Sequence, residues 1–494
     1  MASRLRRPKA VADPPERDDR GVAGRLRELR ALTESTGPID PEPLLRALAD
    51  AEPIVRRAAA WGLGARHDPR SRPALEASLT DPDPDVRGTA AESLGLLARP
   101  ESRIPLERLL ADAEPRVRAQ AAWALWSLRD GAAIPALLPL TRDADAEVRW
   151  SATAALGRLG RPELAPVLAG LLADPSDRVR RQAILGLGES APAGLADLVR
   201  PFLTDPARRV RVAAAIVLGR DGDRASVPAL LDRLACDEGW VLPAVLIALG
   251  RIGDAAAAPA IESTIPGRPG WIRVCAVHAL MEMRAPRAAD VARAALDDPL
   301  WSVRGAGAEA LGIVGAPADL PHLLTVLEDP HPWPRRGAVL ALGRLGLAEA
   351  APRIREELRH TDLEVRLAAI WALGRLRDDG AREGIVAALR QALPGVGATP
   401  MIAPAGAGAV HLKSDAESRI FDTAVQALGR LGQGDADRFL RRALLEARAR
   451  IDDESLDRPA RLPAPEEGAG RVTPTLRSVF EDALAAVDDA EPGC

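Results

Sequence analysis

Apolar residues return along this chain on two nested periods. In "PELAPVLAGLLADPSDRVRRQAILGLGES", Leu164, Val167, Leu168, Leu171 and Leu172 fall at helical spacing and form one stripe. The turn "DPSD" ends that stripe, and a second helical pattern begins at Val179. On the longer period, a Val-Arg pair or its equivalent recurs at Val55, Val86, Val117, Val148, Val179, Val210, Val241, Ile272, Val303, Pro334 and Val365, the position number rising by 31 at every step. That period calls for a twelfth unit at 396, and the matching pattern arrives late, at Ile420. The delay contains "LPGVGATPMIAPAGAGAVHLKSD", which the register places in the turn between the two helices of the last unit.

Counting each unit from its Val-Arg position as zero, aligned columns show what the second helix buries. Position +8 is Leu in all units, from Leu63 to Leu428, and position +4 is Ala except at Val245 and Gly307. Position +7 is always small or Val, which lets neighbouring helices approach closely. At +12, Gly160, Gly222, Gly253, Gly315, Gly346 and Gly432 suit the left-handed residue that ends a helix. Each unit therefore reads as a helix-turn-helix that cannot bury its apolar face alone, and stacking of neighbours supplies a continuous core.

The recurring "DP-x-x-x-VR-x-x-A-x-x-LG", as from Asp81 to Gly95 and from Asp174 to Gly188, resembles HEAT repeats of the short, phycobilisome-lyase type. The resemblance covers about residues 40 to 432. It implies an all-α fold, a right-handed α-solenoid or superhelix of about twelve HEAT-like repeats, with the second helices lining a concave face. The expected organisation is a disordered tail at 1–20, a solenoid over 21–451 with a flexible insertion at 394–415, a Pro-rich linker at 452–474 and an amphipathic helix at 475–490. The class includes bilin lyases, deoxyhypusine hydroxylase and scaffolds, so the fold by itself does not select a function.

Three columns carry the candidate surfaces. An Arg at +1 lies in the first turn of the helix, where a cation opposes the macrodipole and needs an anion. Asp at −5 supplies one, and Asp81, Arg87, Asp112, Arg118, Asp143, Arg149, Asp174, Arg180, Asp205 and Arg211 are expected to form a structural ladder of Asp-Arg pairs between adjacent repeats. Unit seven departs, with Cys236 and Leu242 in the two columns. At 100° per residue, positions +2, +6 and +10 fall opposite the buried arc. A partner is expected to meet apolar residues at +6, Trp61, Trp123, Leu185, Ile216, Ile247, Leu340 and Trp371, beside arginines at +10, Arg158, Arg220, Arg251, Arg344, Arg375 and Arg430. A weaker candidate is the turn edge, where Trp240, Trp271, Trp301 and Trp333 occupy −1 or −2 of four consecutive units.

Composition narrows the function classes. The chain has 494 residues, 47% of them hydrophobic, and a net charge of −4, and no apolar run approaches a membrane span. No apolar segment follows the first arginines, so the expected location is cytoplasmic. Only Lys9 and Lys413 are lysines, there is no Tyr, and Ala, Arg, Gly and Pro are abundant, which points to a GC-rich bacterial genome and weakens any phosphate-binding reading of the arginines. Three cysteines form no disulfide framework. None of the six histidines sits in a His-Glu pair, which disfavours a deoxyhypusine hydroxylase-like site. Cys275, His278 and Glu282 share a helix face without a second set of metal ligands. No catalytic residue, cofactor site or metal site is therefore expected. The expected function is a non-enzymatic scaffold that binds a protein or peptide, with acidic groups meeting the arginines, and nucleic acid is disfavoured by the acidic balance. The alternative is a lyase-like or oxidoreductase-type HEAT-repeat enzyme or accessory.

Overall fold

The computed structural model describes residues 20–35, 40–392, 423, 424, 426 and 427. The insertion 394–415, the linker 452–474, the helix 475–490, the tail 1–19 and Arg430 lie outside the described residues. The described residues form helices and turns with no strand. Packing divides the chain into two compact units, Met1–Val245 and Leu246–Cys494.

In the first unit, helix Arg20–Glu34 packs on the second helix of repeat one, Pro53–Ala65. Pro84–Leu97, Pro115–Leu128, Ala146–Arg158, Asp177–Ser190 and Arg208–Asp221 then follow, each packed on the one before. The first helices are shorter, such as Arg72–Ser78 and Arg103–Leu109, and each covers the second helix that follows it. In the second unit the same arrangement holds for Gly270–Glu282, Trp301–Val314, Pro332–Leu345 and Leu363–Leu376.

Local sequence explains where the second helices begin and end. Asp83 accepts hydrogen bonds from the N–H groups of Asp85 and Val86, and Asp145 does the same for Glu147 and Val148. Proline at the first helical position, as in Pro84 and Pro115, occupies a site where no N–H is needed. At the far end the +12 residue is left-handed in ten of the eleven described repeats, including Gly160, Gly222, Gly253 and Gly346. Gly315 differs from the expectation. It is extended, with φ −79° and ψ −179°, and the chain beyond it is instead held by Asp319, which accepts from the N–H of Ala316.

The +4 and +8 columns are buried throughout the described repeats. Small residues set how closely helices pack: a Cβ placed on Gly157 would meet Gly186 Cα at 2.8 Å, and one on Gly312 would meet Ala341 Cα at 2.9 Å. Either substitution would push helix backbones apart.

The Asp and Arg columns meet across repeats. Arg87 donates from Nε and Nη2 to both oxygens of Asp112, at 2.7 and 2.9 Å, and from Nη1 to the carbonyls of Asp81 and Pro82 in its own turn. Arg118 takes Asp143, Arg149 takes Asp174 and Arg180 takes Asp205 in the same bidentate way. Asp81 is held by Arg56. In the second unit Arg273 pairs with Asp298 and Arg304 with Asp329. Unit seven has not lost its acid, contrary to the column reading. Asp237, one residue past Cys236, accepts from Arg211 Nη2 at 2.7 Å. The offset permits one hydrogen bond instead of two, leaving Arg211 Nε and Asp237 Oδ2 buried without a hydrogen-bond partner.

Candidate functional site

The bidentate ladder arginines aim their guanidinium donors at carboxylates and turn carbonyls, so those side chains are committed to holding repeats together. The surface open to a partner is the opposite side of the second helices. In the first unit, Trp61, Trp123, Leu185 and Ile216 are half-buried. Trp123 lies 6.1 Å from Trp126 between ring centroids, and the Arg158 guanidinium sits over the Trp126 ring at 4.1 Å. Burial, and then the like charge of Arg129, draw the Arg158 pKa below its ordinary value. The result is an apolar step with a cation stacked on it, an arrangement suited to an aromatic or aliphatic anchor next to an acidic group. Arg220 is partly satisfied within the chain, by Glu189 at 2.8 Å.

In the second unit the same column behaves differently. Ile247 is 40% exposed, and Arg251 is exposed beside it. Leu340 and Trp371 are buried, at 2% and 3%, which removes them as contact residues. The reason is packing between neighbours: the ring edge of Trp371 lies over Gly343 of the preceding repeat, and Arg375 covers its face at 5.5 Å. Arg375 Nε also donates to the Gly343 carbonyl at 3.3 Å. Arg344 is half-buried, with its stem near Gly312.

The tryptophans of the turns stay at the surface. Trp240, in the first unit, is 76% exposed. In the second unit Trp271, Leu300, Trp301 and Trp333 are all exposed. His331 stacks on Trp301 at 4.0 Å and 7°, Trp333 meets Trp301 edge-on at 6.3 Å, and Trp333 rests on Gly305 with Arg336 over its ring at 5.5 Å. Trp301 and Trp333 thus pack on each other and on His331 while part of each ring stays exposed.

Sequence reasoning passed over Trp126. Its signal was present: it stands at +9, a column that is Gly in Gly95, Gly157 and Gly188. Among the described residues no group of three or more His, Cys, Asp or Glu could hold a metal ion. Cys275 is half-buried, and burial pushes its thiol pKa up. No described helix is long and apolar enough to cross a membrane.

A family model for HEAT repeats matches residues 41–117, 105–188, 195–267, 266–340 and 320–396. The chain belongs to the HEAT-repeat family. Among solved structures, a complex of Kap95 with Nup1 matches this HEAT-repeat protein at 14% identity over 94% of this chain and 70% of that chain, with a TM-score of 0.60. Importin beta matches at 14% identity over 95% and 71%, with a TM-score of 0.54. The CpcE–CpcF phycocyanin lyase complex of Nostoc sp. is 25% identical over 52% of this chain and 94% of that chain, at a TM-score of 0.26. No curated protein matches the chain. Identities as low as those of Kap95 and importin beta show the shared α-solenoid fold and nothing finer.

Proposed function

We propose that this HEAT-repeat protein is a non-enzymatic scaffold that holds a protein or peptide partner along the open side of its second helices, the concave face expected of the solenoid. The observation that carries the reading is the step formed by Trp123, Trp126 and Arg158, where large apolar surface stays partly open beside a stacked cation. Large aromatic residues and arginines are the types that dominate binding energy at protein interfaces.

The test is affinity capture of partners by the full chain from its own cells, quantified by mass spectrometry, comparing wild type with Trp123→Ala. Loss of an aromatic anchor removes about 2 kcal/mol or more, so recovery of the bound protein is expected to fall at least roughly tenfold. Equal recovery by wild type and variant would sink the docking face. A purified protein that is coloured would point instead to a lyase-like role with a tetrapyrrole.

A further inference from the structure

Arginine recurs at +2 of three second helices, and the register normally gives it an acid. Arg57 lies 3.2 Å from Asp85, at −1 of the following repeat. Arg336 lies 2.8 Å from Glu309, at +6 of the preceding repeat, and 3.9 Å from Glu364, at −1 of the following one. For Arg181 the same two slots hold Ala154 and Arg209. Arg181 is half-buried and makes no hydrogen bond or ion pair with any other described residue. Burial, and then the charge of Arg209, pull its pKa below the ordinary value. Such a cation destabilises the folded chain, a departure from local consistency of the kind that marks functional positions.

The surroundings of Arg181 form a shallow, open recess between exposed and half-buried side chains. Trp150, Arg178, Arg181 and Arg209 line an open space of about 300 Å³. Trp150 is the +2 residue of the preceding repeat, and Arg178 stacks over its ring at 4.5 Å. Arg178 and Arg209 stand at −1 of their repeats, one helical turn before +2, and so share its face. Each is already neutralised from the side, Arg178 by Glu147 and Arg209 by Asp177. Three cations and two anions leave one positive charge, and it belongs to the arginine without a partner.

We propose that this recess takes a single acidic side chain of a protein partner, its carboxylate pairing with Arg181 and its stem lying against Trp150. The proposal rests on the docking-face reading and adds a defined anchor to it. A nucleic-acid backbone fits poorly, because it brings evenly spaced negative charge past Glu147 and Asp177 and needs a run of uncompensated cations. An isolated carboxylate needs one.

The test uses the full chain and two fluorescein-labelled probes, octaglutamate and an eight-nucleotide oligothymidylate, read by fluorescence anisotropy at low salt. Wild type is expected to bind octaglutamate more tightly than oligothymidylate. R181Q is expected to lose roughly tenfold in affinity for octaglutamate, and R181K to keep most of it. Arg224→Gln, an exposed arginine outside the recess, is expected to bind as wild type does. R181Q should also melt no lower than wild type, since it removes an unpaired cation; a lower melting temperature means Arg181 has an internal role and overturns the proposal. So does an R181Q affinity equal to wild type, an equal loss in Arg224→Gln, or an R181Q loss confined to oligothymidylate. If the pocket fails in this assay while Trp123→Ala still loses its captured partner, the docking face stands without this anchor; if both fail, neither reading survives.

Discussion

At the scale of single residues, the left-handed position that ends each second helix shows how the repeat manages a recurring conformational problem. Six described repeats place a residue with a Cβ there: His67, Ala98, Arg129, Ala191, Arg284 and Arg377, with φ between 43° and 53°. For an L-residue that conformation costs about 1–2 kcal/mol, whereas glycine adopts it without the steric penalty. Ala98 is exposed, so replacing it disturbs little else. Ala98→Gly is therefore expected to raise stability by about 1 kcal/mol, read as a higher denaturation midpoint at unchanged slope. A lower midpoint would mean that the methyl group of Ala98 contributes more than its strain removes. The glycine column was legible because glycine advertises the conformation. The other six were not, since nothing in Ala, Arg or His distinguishes a helix end forced left-handed by its neighbours from a helix that continues. Gly315 shows the converse, a glycine in the right column whose backbone is extended because the chain there is captured by Asp319.

At the scale of elements, each second helix is tied to the next by a rung whose acid titrates. The Arg87 guanidinium holds the Asp112 carboxyl below its ordinary value of 3.8, and Arg118 does the same for Asp143, in each case against the opposing effect of burial. A carboxylate with a lowered folded-state pKa stabilises the chain fully above its unfolded value and loses that contribution as pH falls through the folded value. Thermal stability is therefore expected to be level from about pH 7 to about pH 5 and to fall below about pH 4. Asp112→Asn breaks one rung and leaves Arg87 without its charge partner, which costs about 2 kcal/mol at neutral pH. The gap between variant and wild type should narrow as pH falls through the lowered folded-state value of Asp112, because the wild-type carboxyl then becomes protonated as well. A deficit of the same size at neutral and acid pH would show that the rung acts through shape and not charge. The rungs were written in the sequence as two columns repeated often enough to average out exceptions. The exceptions lie outside the columns: Asp237 works from one residue past its column, and Trp371 is closed off by Arg375 one turn along its own helix and by Gly343 of the preceding repeat, whose approach depends on the spacing between helices. Trp150 and Arg181 escaped for the same reason, since the meaning of a +2 arginine lies in what stands at −1 and +6 of its neighbours.

At the scale of the whole molecule, the repeat register runs through Val245 without interruption, although packing divides the chain into two units there. Periodicity reports what each repeat is built from, whereas the division depends on how repeats pack, and only a lapse in columns hints at it: Leu242 stands in the Arg column and Gly267 in the Asp column, so the sequence supplies neither member of one rung. Within each unit a second helix packs on its immediate predecessor and successor, which makes stability a sum over neighbours and confines damage to a neighbourhood. Leu156 is fully buried at the +8 position of repeat four. Leu156→Ala removes about 2–5 kcal/mol from that layer. Hydrogen exchange should accelerate at least roughly tenfold in Ala146–Arg158 and in the helices packed on it, Pro115–Leu128 and Asp177–Ser190, while amides of Pro332–Leu345 keep their wild-type rates. Uniform acceleration along the chain would instead require a single all-or-none transition. A local response follows from stability carried between neighbours, because one layer can then loosen while distant layers hold their shape.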